Sequence, residues 1–212
     1  MIHQLFLKPR RYEPMVEARE LLVSPAGIQG AVYSAPIRHL LMVPKSTLLE
    51  FELKPGDLRE NLIIDDDGIG NLHTLPSGTV IKIQDVLVRL TVHCEPCGRL
   101  RHLVDLAAIQ HKRGYLGTIL SKGIIRTGNH ITLVSDRRYE AIPYDLKERI
   151  EWYLDQKTTP VKATTLIHDI GLSASYCRAL PKLTKDIPDI ERRILFQSAP
   201  ATEPPRLFSA AG

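Results

Sequence analysis

Two short stretches of this chain carry side chains that could do chemistry. The first is Cys94-Glu95-Pro96-Cys97-Gly98-Arg99-Leu100, two thiols three positions apart with a basic residue close behind. The second lies upstream, Leu53-Lys54-Pro55-Gly56-Asp57-Leu58-Arg59-Glu60-Asn61-Leu62, where a Pro-Gly turn is set against an Arg-Glu-Asn cluster suited to anion or cofactor binding. Cys-x-x-Cys spacing by itself is compatible with half a zinc site, a redox pair or two buried thiols. Pro96 disfavours a helical backbone at Glu95, so the chain turns between the cysteines. Cys97 is then the thiol expected at a strand-to-helix corner, where a helix N-terminus, Arg99 and Arg101 supply the positive charge that suits a thiolate. Soft thiolates suit zinc, copper, iron–sulfur centres and molybdenum.

The elements that must position these residues change character along the chain. Up to about Ser135 the pattern is mostly β, with apolar runs at Ile2–Leu7, His39–Val43, Val80–Val92 and Ile131–Val134. In the longest run Val86, Val88, Leu90 and Val92 share one face, opposite Arg89 and Thr91. Turns are announced at Pro25-Ala26-Gly27, Pro55-Gly56, Asp67-Gly68 and Pro76-Ser77-Gly78. Leu100, Leu103, Val104 and Ala107 predict one helix over Arg99–Lys112. Many short strands with a single helix predict a β-barrel.

After Tyr139 the spacing becomes helical. Asp145–Gln156 places Leu146, Ile150, Tyr153 and Leu154 on one side, and Thr165–Ile170 follows, stopped at Gly171. Ser173 is the expected N-cap of a third helix reaching about Thr184. The whole therefore reads as mainly β: a barrel over residues 1–137, a small helical domain of helix-turn-helix outline over 138–197, and a tail over 198–212 whose Ala, Pro, Ser and Thr content predicts disorder.

Bulk properties set outer bounds. The 212 residues are 43% hydrophobic and 25% charged, enough for a core without disulfides. Three cysteines are too few for a disulfide framework, and a cytoplasmic location is the default expectation. No apolar run is long enough to span a membrane, and the first residues lack a secretory pattern. A net charge of +4 permits phosphate or nucleic-acid contact without requiring it.

Plainer readings stand beside these. Cys97 could be an inert buried thiol, and His93, Cys94 and Cys97 could be three zinc ligands, although no second Cys/His pair lies at finger-like spacing. A thioredoxin-like pair lacks its βαβ surroundings. Arg59-Glu60-Asn61 could be an ordinary satisfied turn. Asp65-Asp66-Asp67-Gly68 lacks the glutamate of a calcium loop and reads as a hairpin turn.

Several of these segments together resemble a MOSC domain, the module found at the C-terminus of molybdenum cofactor sulfurases and in stand-alone relatives. The segments are Gly27-Ile28-Gln29-Gly30, Arg38-His39-Leu40-Leu41, Pro55-Gly56 with Arg59-Glu60-Asn61-Leu62, Glu95-Pro96-Cys97-Gly98-Arg99-Leu100, and the block from Arg113-Gly114 through Gly123 to Gly128-Asn129. Ala31 and Asn129 stand where that family more usually carries acidic residues. The resemblance implies a β-barrel that binds the pterin-type molybdenum cofactor, with Cys97 as metal ligand or sulfur carrier. It also implies a pocket built from Arg38, Arg59, Glu60, Asn61 and Arg113. The implied chemistry is reduction of N-hydroxylated compounds, base analogues among them, or sulfur transfer, each needing an electron-donor or sulfur-donor protein. The sulfurases' pyridoxal-phosphate domain has no counterpart in this sequence.

The second part is similar, over about 55 residues, to the winged-helix DNA-binding half of O6-alkylguanine-DNA alkyltransferases. Arg178-Ala179-Leu180 would stand where that family presents a nucleotide-extruding arginine. The alkyl-accepting Pro-Cys-His-Arg motif is absent, so alkyl transfer is not implied. Arg178, Lys182 and Lys185 recur at helical spacing and are the candidate nucleic-acid contacts, making a DNA-binding adaptor the competing reading. Acidic and basic residues are nearly balanced there, and a packing or protein-binding role is the plainer alternative.

Overall fold

The computed structural model describes residues 1–10, 13–32, 35–65 and 68–196. The expected disordered tail over 198–212, and Asp66 and Asp67 of the expected hairpin turn, lie outside the described residues.

An eight-stranded sheet dominates. Its strands in chain order are β1 (Ile2–Leu7), β2 (Val16–Ala18), β5 (Leu40–Pro44), β6 (Leu62–Ile64), β7 (Thr79–Ile83), β8 (Val86–His93), β9 (Tyr115–Ile119) and β11 (Ile131–Arg138). They lie in the order β11-β7-β8-β9-β5-β6-β1-β2 and curl into a half-barrel. A three-stranded sheet joins β3 (Glu20–Ser24), β4 (Gly27–Ile28) and β10 (Gly123–Arg126) in the order β10-β3-β4. Only β5 and β6 pair in parallel; the other neighbours in these sheets are antiparallel. A mainly β fold with few helices is thus what the sequence pattern expected.

Side-chain alternation divides the core. Along β5, Leu40 and Met42 join the cluster enclosed by the sheet, while Leu41 and Val43 join a second cluster on its other face. The second cluster holds Leu58, Val92, Cys94, Leu100 and Ile109, so the loops bearing the candidate chemistry rest on this outer face. Gly114 shows how closely those loops approach. Its φ is +108°, and a Cβ there would strike the Met42 carbonyl.

Two expectations for the β part are corrected. Val80–Val92 is a hairpin, with Ile83 paired to Val86 across a turn where Gln84 takes φ +52°. Both arms are apolar, which hid the break. The helix expected over Arg99–Lys112 is a single 3-10 turn at Gly98–Leu100 followed by turns. Asp105 Oδ1 accepts from Ala107 N at 2.9 Å, a local bond that competes with helix continuation, and His111 sits at φ +63°. Of the apolar stripe only Leu100 is buried and Val104 packs partly against the outer cluster, while Leu103 and Ala107 are exposed; Ile109, outside the stripe, supplies the other buried contact.

The helical region begins with α2 (Leu146–Asp155), following α1 (Lys45–Glu50) of the barrel. Asp145 caps α2, its Oδ1 accepting from Lys147 N and Glu148 N. Then come α3 (Ala163–Asp169), α4 (Leu180–Thr184) and α5 (Ile190–Arg193), with β12 (Val161–Lys162) and β13 (Ile194–Leu195) as a short parallel pair. Gly171 ends α3 at φ +77°, as expected. The third helix expected from Ser173 is split into a 3-10 stretch, Ala174–Arg178, and α4, so Arg178 and Lys182 do not share a helix face. Both are exposed. Among the described residues no antiparallel wing accompanies these helices. Their own core centres on Ile150, Leu154, Leu166, Ile170 and Leu180, and Trp152 packs against both this cluster and the barrel's outer one.

Candidate functional site

A cleft of about 1190 Å³ lies where the barrel's outer loops face the helical region. Cys97, Arg38, Arg59, Asn61 and Arg113 all line it, so five of the six nominated pocket residues converge from separate segments. The helical side contributes Tyr144, His168, Gly171 and Tyr176. Glu60 is the exception.

Cys97 is half-buried and extended (φ −124°, ψ 156°), and its carbonyl accepts from Leu100 N at 2.9 Å. A three-residue turn has too few aligned peptides for a helix dipole. The arginines supply the positive charge. Arg59 takes φ +64°, a left-handed conformation that a non-glycine residue holds only when its surroundings enforce it. Its Nη2 donates to Glu13 O at 2.7 Å, while its Nε is buried without a partner. Burial, then repulsion from Arg99 and Arg113, lowers the Arg59 pKa against an opposing contribution from Cys97. Arg113 donates to the carbonyls of Glu95 and Leu58, and its Nε is also buried and unpartnered. Mutually repelling guanidinium groups around a thiol make a site for an anion.

Asn61 lines the cleft, but its amide is committed to the backbone: Oδ1 accepts from Leu41 N at 3.0 Å and Nδ2 donates to Phe6 O at 3.1 Å. It ties β5 to β1 beneath the site. Glu60 is wholly buried under the Pro-Gly turn, with Oε1 accepting from Gly56 N at 2.6 Å and Oε2 unpartnered. Burial raises its pKa despite that hydrogen bond. Asn129, at the family's usual acidic position, accepts from Arg126 N at 2.7 Å and closes the turn after β10.

Several groups escaped the sequence reading. Glu95 sits between two arginines, 3.6 Å from Arg38 Nη1 and 2.8 Å from Arg149 Nη1. Burial alone would raise its pKa, but the two guanidinium groups, Arg38 first, hold it below the usual carboxylate value. Arg38 also donates to Gly171 O at 2.6 Å and approaches Cys94 Sγ at 3.8 Å. An aromatic group, His111 against Tyr144 at 4.3 Å and His93 against Tyr115 at 4.4 Å, stands beside the cleft. Burial and the neighbouring His73 and His111 push the His93 pKa down to about 4, so it is neutral at neutral pH. On the opposite wall His168 Nδ1 faces Asp169 Oδ1 at 2.9 Å, and Tyr153 donates to the other oxygen at 2.6 Å. Adjacency in the sequence could have flagged His168-Asp169; nothing local flagged Arg149, whose helical spacing reads as core. Among the described residues no group of three or more His, Cys, Asp or Glu is placed to hold a metal ion.

A curled β half-barrel with a thiol and an arginine cluster at its rim defines the class. The MOSC domain profile matches residues 26–133, just over half the chain, and the protein belongs to that family. Solved structures agree on the fold. The YUAD protein from Bacillus subtilis is 14% identical with a TM-score of 0.55, covering 66% of this chain and 96% of its own. YiiM from Geobacillus stearothermophilus is 19% identical with a TM-score of 0.53, covering 86% of this chain and 98% of its own. The second likeness therefore extends past the barrel. No curated protein gives a significant sequence match. No helix among the described residues is long and apolar enough to cross a membrane.

Proposed function

We propose that this protein binds the pterin-type molybdenum cofactor through Cys97 and acts as a reductase component for N-hydroxylated compounds. The family as a whole is linked to that cofactor. The observation that carries the reading is the half-buried Cys97 thiol facing a cleft walled by Arg59, Arg99 and Arg113, with two buried guanidinium Nε atoms lacking partners. Such a donor set fits the group: it asks for one protein thiolate as a soft ligand and for cationic forks around its phosphate. When bound, the group would supply a two-electron redox centre.

The chain's own residues then divide the remaining work. Arg59, Arg113 and Arg38 would neutralise the phosphate and orient the bound group. The His111–Tyr144 pair would stack on a planar substrate, and His168, held by Asp169, would carry a proton at the cleft wall. Reducing an N–OH group consumes two electrons and two protons, breaks the N–O bond and releases the oxygen as water. The electrons come from a separate donor protein. A cleft of about 1190 Å³ beside the thiol has room for an organic group of cofactor size, which supports this reading. A nucleic-acid adaptor would rest on exposed Arg178, Lys182 and Lys185.

Elemental mass spectrometry on protein from a host that makes the cofactor tests the reading. Molybdenum near one atom per chain, lost in Cys97→Ser, is expected. A persulfide on Cys97 without molybdenum would establish the carrier reading in its place, and neither species would overturn both.

A further inference from the structure

We infer that Glu95 and Arg149 form a positioning pair that fixes the Cys97 loop in the cleft, so that the helical region acts on Cys97 through one buried ion pair. The inference rests on the reading of Cys97 as the functional thiol.

Arg149 is 1% exposed, and the helical region nearly saturates it. Its Nε donates to Pro143 O at 2.9 Å, its Nη2 to Tyr144 O at 2.7 Å, and its Nη1 approaches Ile170 O at 3.5 Å. These are neutral acceptors. The counter-charge comes from 54 residues away, where Glu95 Oε1 accepts from Nη1 at 2.8 Å. A buried guanidinium is costly to desolvate, and an apolar side chain of similar size would hold α2 against the core without that cost. What the charge adds is a fixed location for Glu95.

The cysteine loop is held on three sides. Arg149 and Arg38 grip the Glu95 carboxylate, and Arg113 grips its carbonyl. The helical region also makes room for Arg38: a Cβ at Gly171 would lie 2.7 Å from Arg38 Cδ, and Gly171 O accepts from Nη1 of the same arginine. Only Pro96 separates Glu95 from Cys97. Its fixed φ, and its restriction of the preceding residue, leave little slack between them. Placement of the Glu95 carboxylate is thereby passed to the Cys97 backbone.

Charge-conserving variants separate position from electrostatics. Glu95→Asp shortens the reach by one methylene, and Arg149→Lys replaces the fork with a single ammonium. Iodoacetamide labelling, read by mass spectrometry on the full chain, reports Cys97, Cys94 and Cys177 separately. Cys97 labelling is expected to quicken on the order of tenfold in both variants, as the loop gains freedom to open. Buried Cys94, and Cys177, which packs against the helical core instead of the Glu95 loop, should keep their wild-type rates. An unchanged Cys97 rate in both variants would overturn the inference, and so would a parallel rise at all three thiols, which marks general loosening. Molybdenum content is measured on the same samples. Wild-type protein without molybdenum would sink the cofactor reading and leave the labelling comparison to judge the pair.

Discussion

In the barrel, Cys97, Arg59 and Arg113 hang from loops whose ends are strands locked by long-range register: β8 to β9, β5 to β9, β5 to β6. In the helical region, Tyr144 precedes α2, His168 lies on α3 and Tyr176 on the 3-10 stretch, around a core of their own joined to the barrel through Trp152 packing and a few polar contacts. The barrel contributes the charged groups and the thiol; the helices contribute aromatic and hydrogen-bonding side chains. The thiol and cations thus face a wall with a separate core, and on the proposed reading cofactor and substrate would be held by different parts of one chain.

The largest blow to that arrangement should come from Arg149→Ala. It leaves Glu95 half-paired and strips the Pro143 and Tyr144 carbonyls of a donor, which should cost about 3–5 kcal/mol, read as a fall in the urea midpoint. If the two regions are coupled as described, tryptophan fluorescence at Trp152 and far-UV dichroism should both move to the new midpoint together. Separate midpoints would show that the regions unfold independently.

Two glycines sharpen the contrast. Gly114→Ala meets the Met42 backbone, which cannot move without disturbing β5, and should cost about 3 kcal/mol. Gly171→Ala, at φ +77°, meets side-chain atoms only, Arg38 Cδ and Cγ and Ile37 Cγ1, which can shift more readily than backbone, and should cost about 1–2 kcal/mol. Thermal denaturation of the two variants decides the order. Equal losses would mean that the wall is as rigid as the barrel.

The barrel was more legible in the sequence than the wall, for a physical reason. Turns such as Pro55-Gly56 and alternation such as Val86, Val88, Leu90 are local signals, and the blocks around Arg59, Cys97 and Arg113 come in a recognisable order. Leu100, Leu103, Val104 and Ala107 mislead because helical spacing can arise in a turn-rich loop that buries only Leu100 and part of Val104. Arg149 and Glu95 could not be paired from the sequence, since their contact is long-range and each looks like an ordinary charged residue. Glu60 was drawn to the site by its neighbours; its carboxylate turns the other way, into the Pro-Gly turn.

The two glutamates also respond oppositely to pH. The Glu60 pKa is raised by burial, so the stability its proton brings is present below the ordinary carboxylate value and is lost as pH rises through the raised one. Glu60→Gln should therefore gain on wild type toward neutral pH, by on the order of 1 kcal/mol. The Glu95 pKa is lowered by Arg38 and Arg149 against burial, so its contribution is present above the ordinary value and is lost as pH falls through the depressed one. Glu95→Gln should be weaker than wild type at neutral pH and converge with it in acid. Urea midpoints across the acid range separate the two, and parallel curves for both variants would refute the assignment.

The smallest effect expected is at the helical wall itself. Tyr153 donates to Asp169 Oδ2 at 2.6 Å, and the carboxylate's other oxygen faces His168. Tyr153→Phe keeps the ring in its buried place and removes only that hydrogen bond, for a loss of about 1 kcal/mol. Freed of one donor, Asp169 should hold the His168 ring less rigidly. The imidazole signals of His168 in a proton–nitrogen NMR spectrum should then broaden or shift, while those of His93, packed against Tyr115 in the barrel, stay where they are. Movement of both would carry the change across the cleft and make the wall part of the barrel's rigid frame after all.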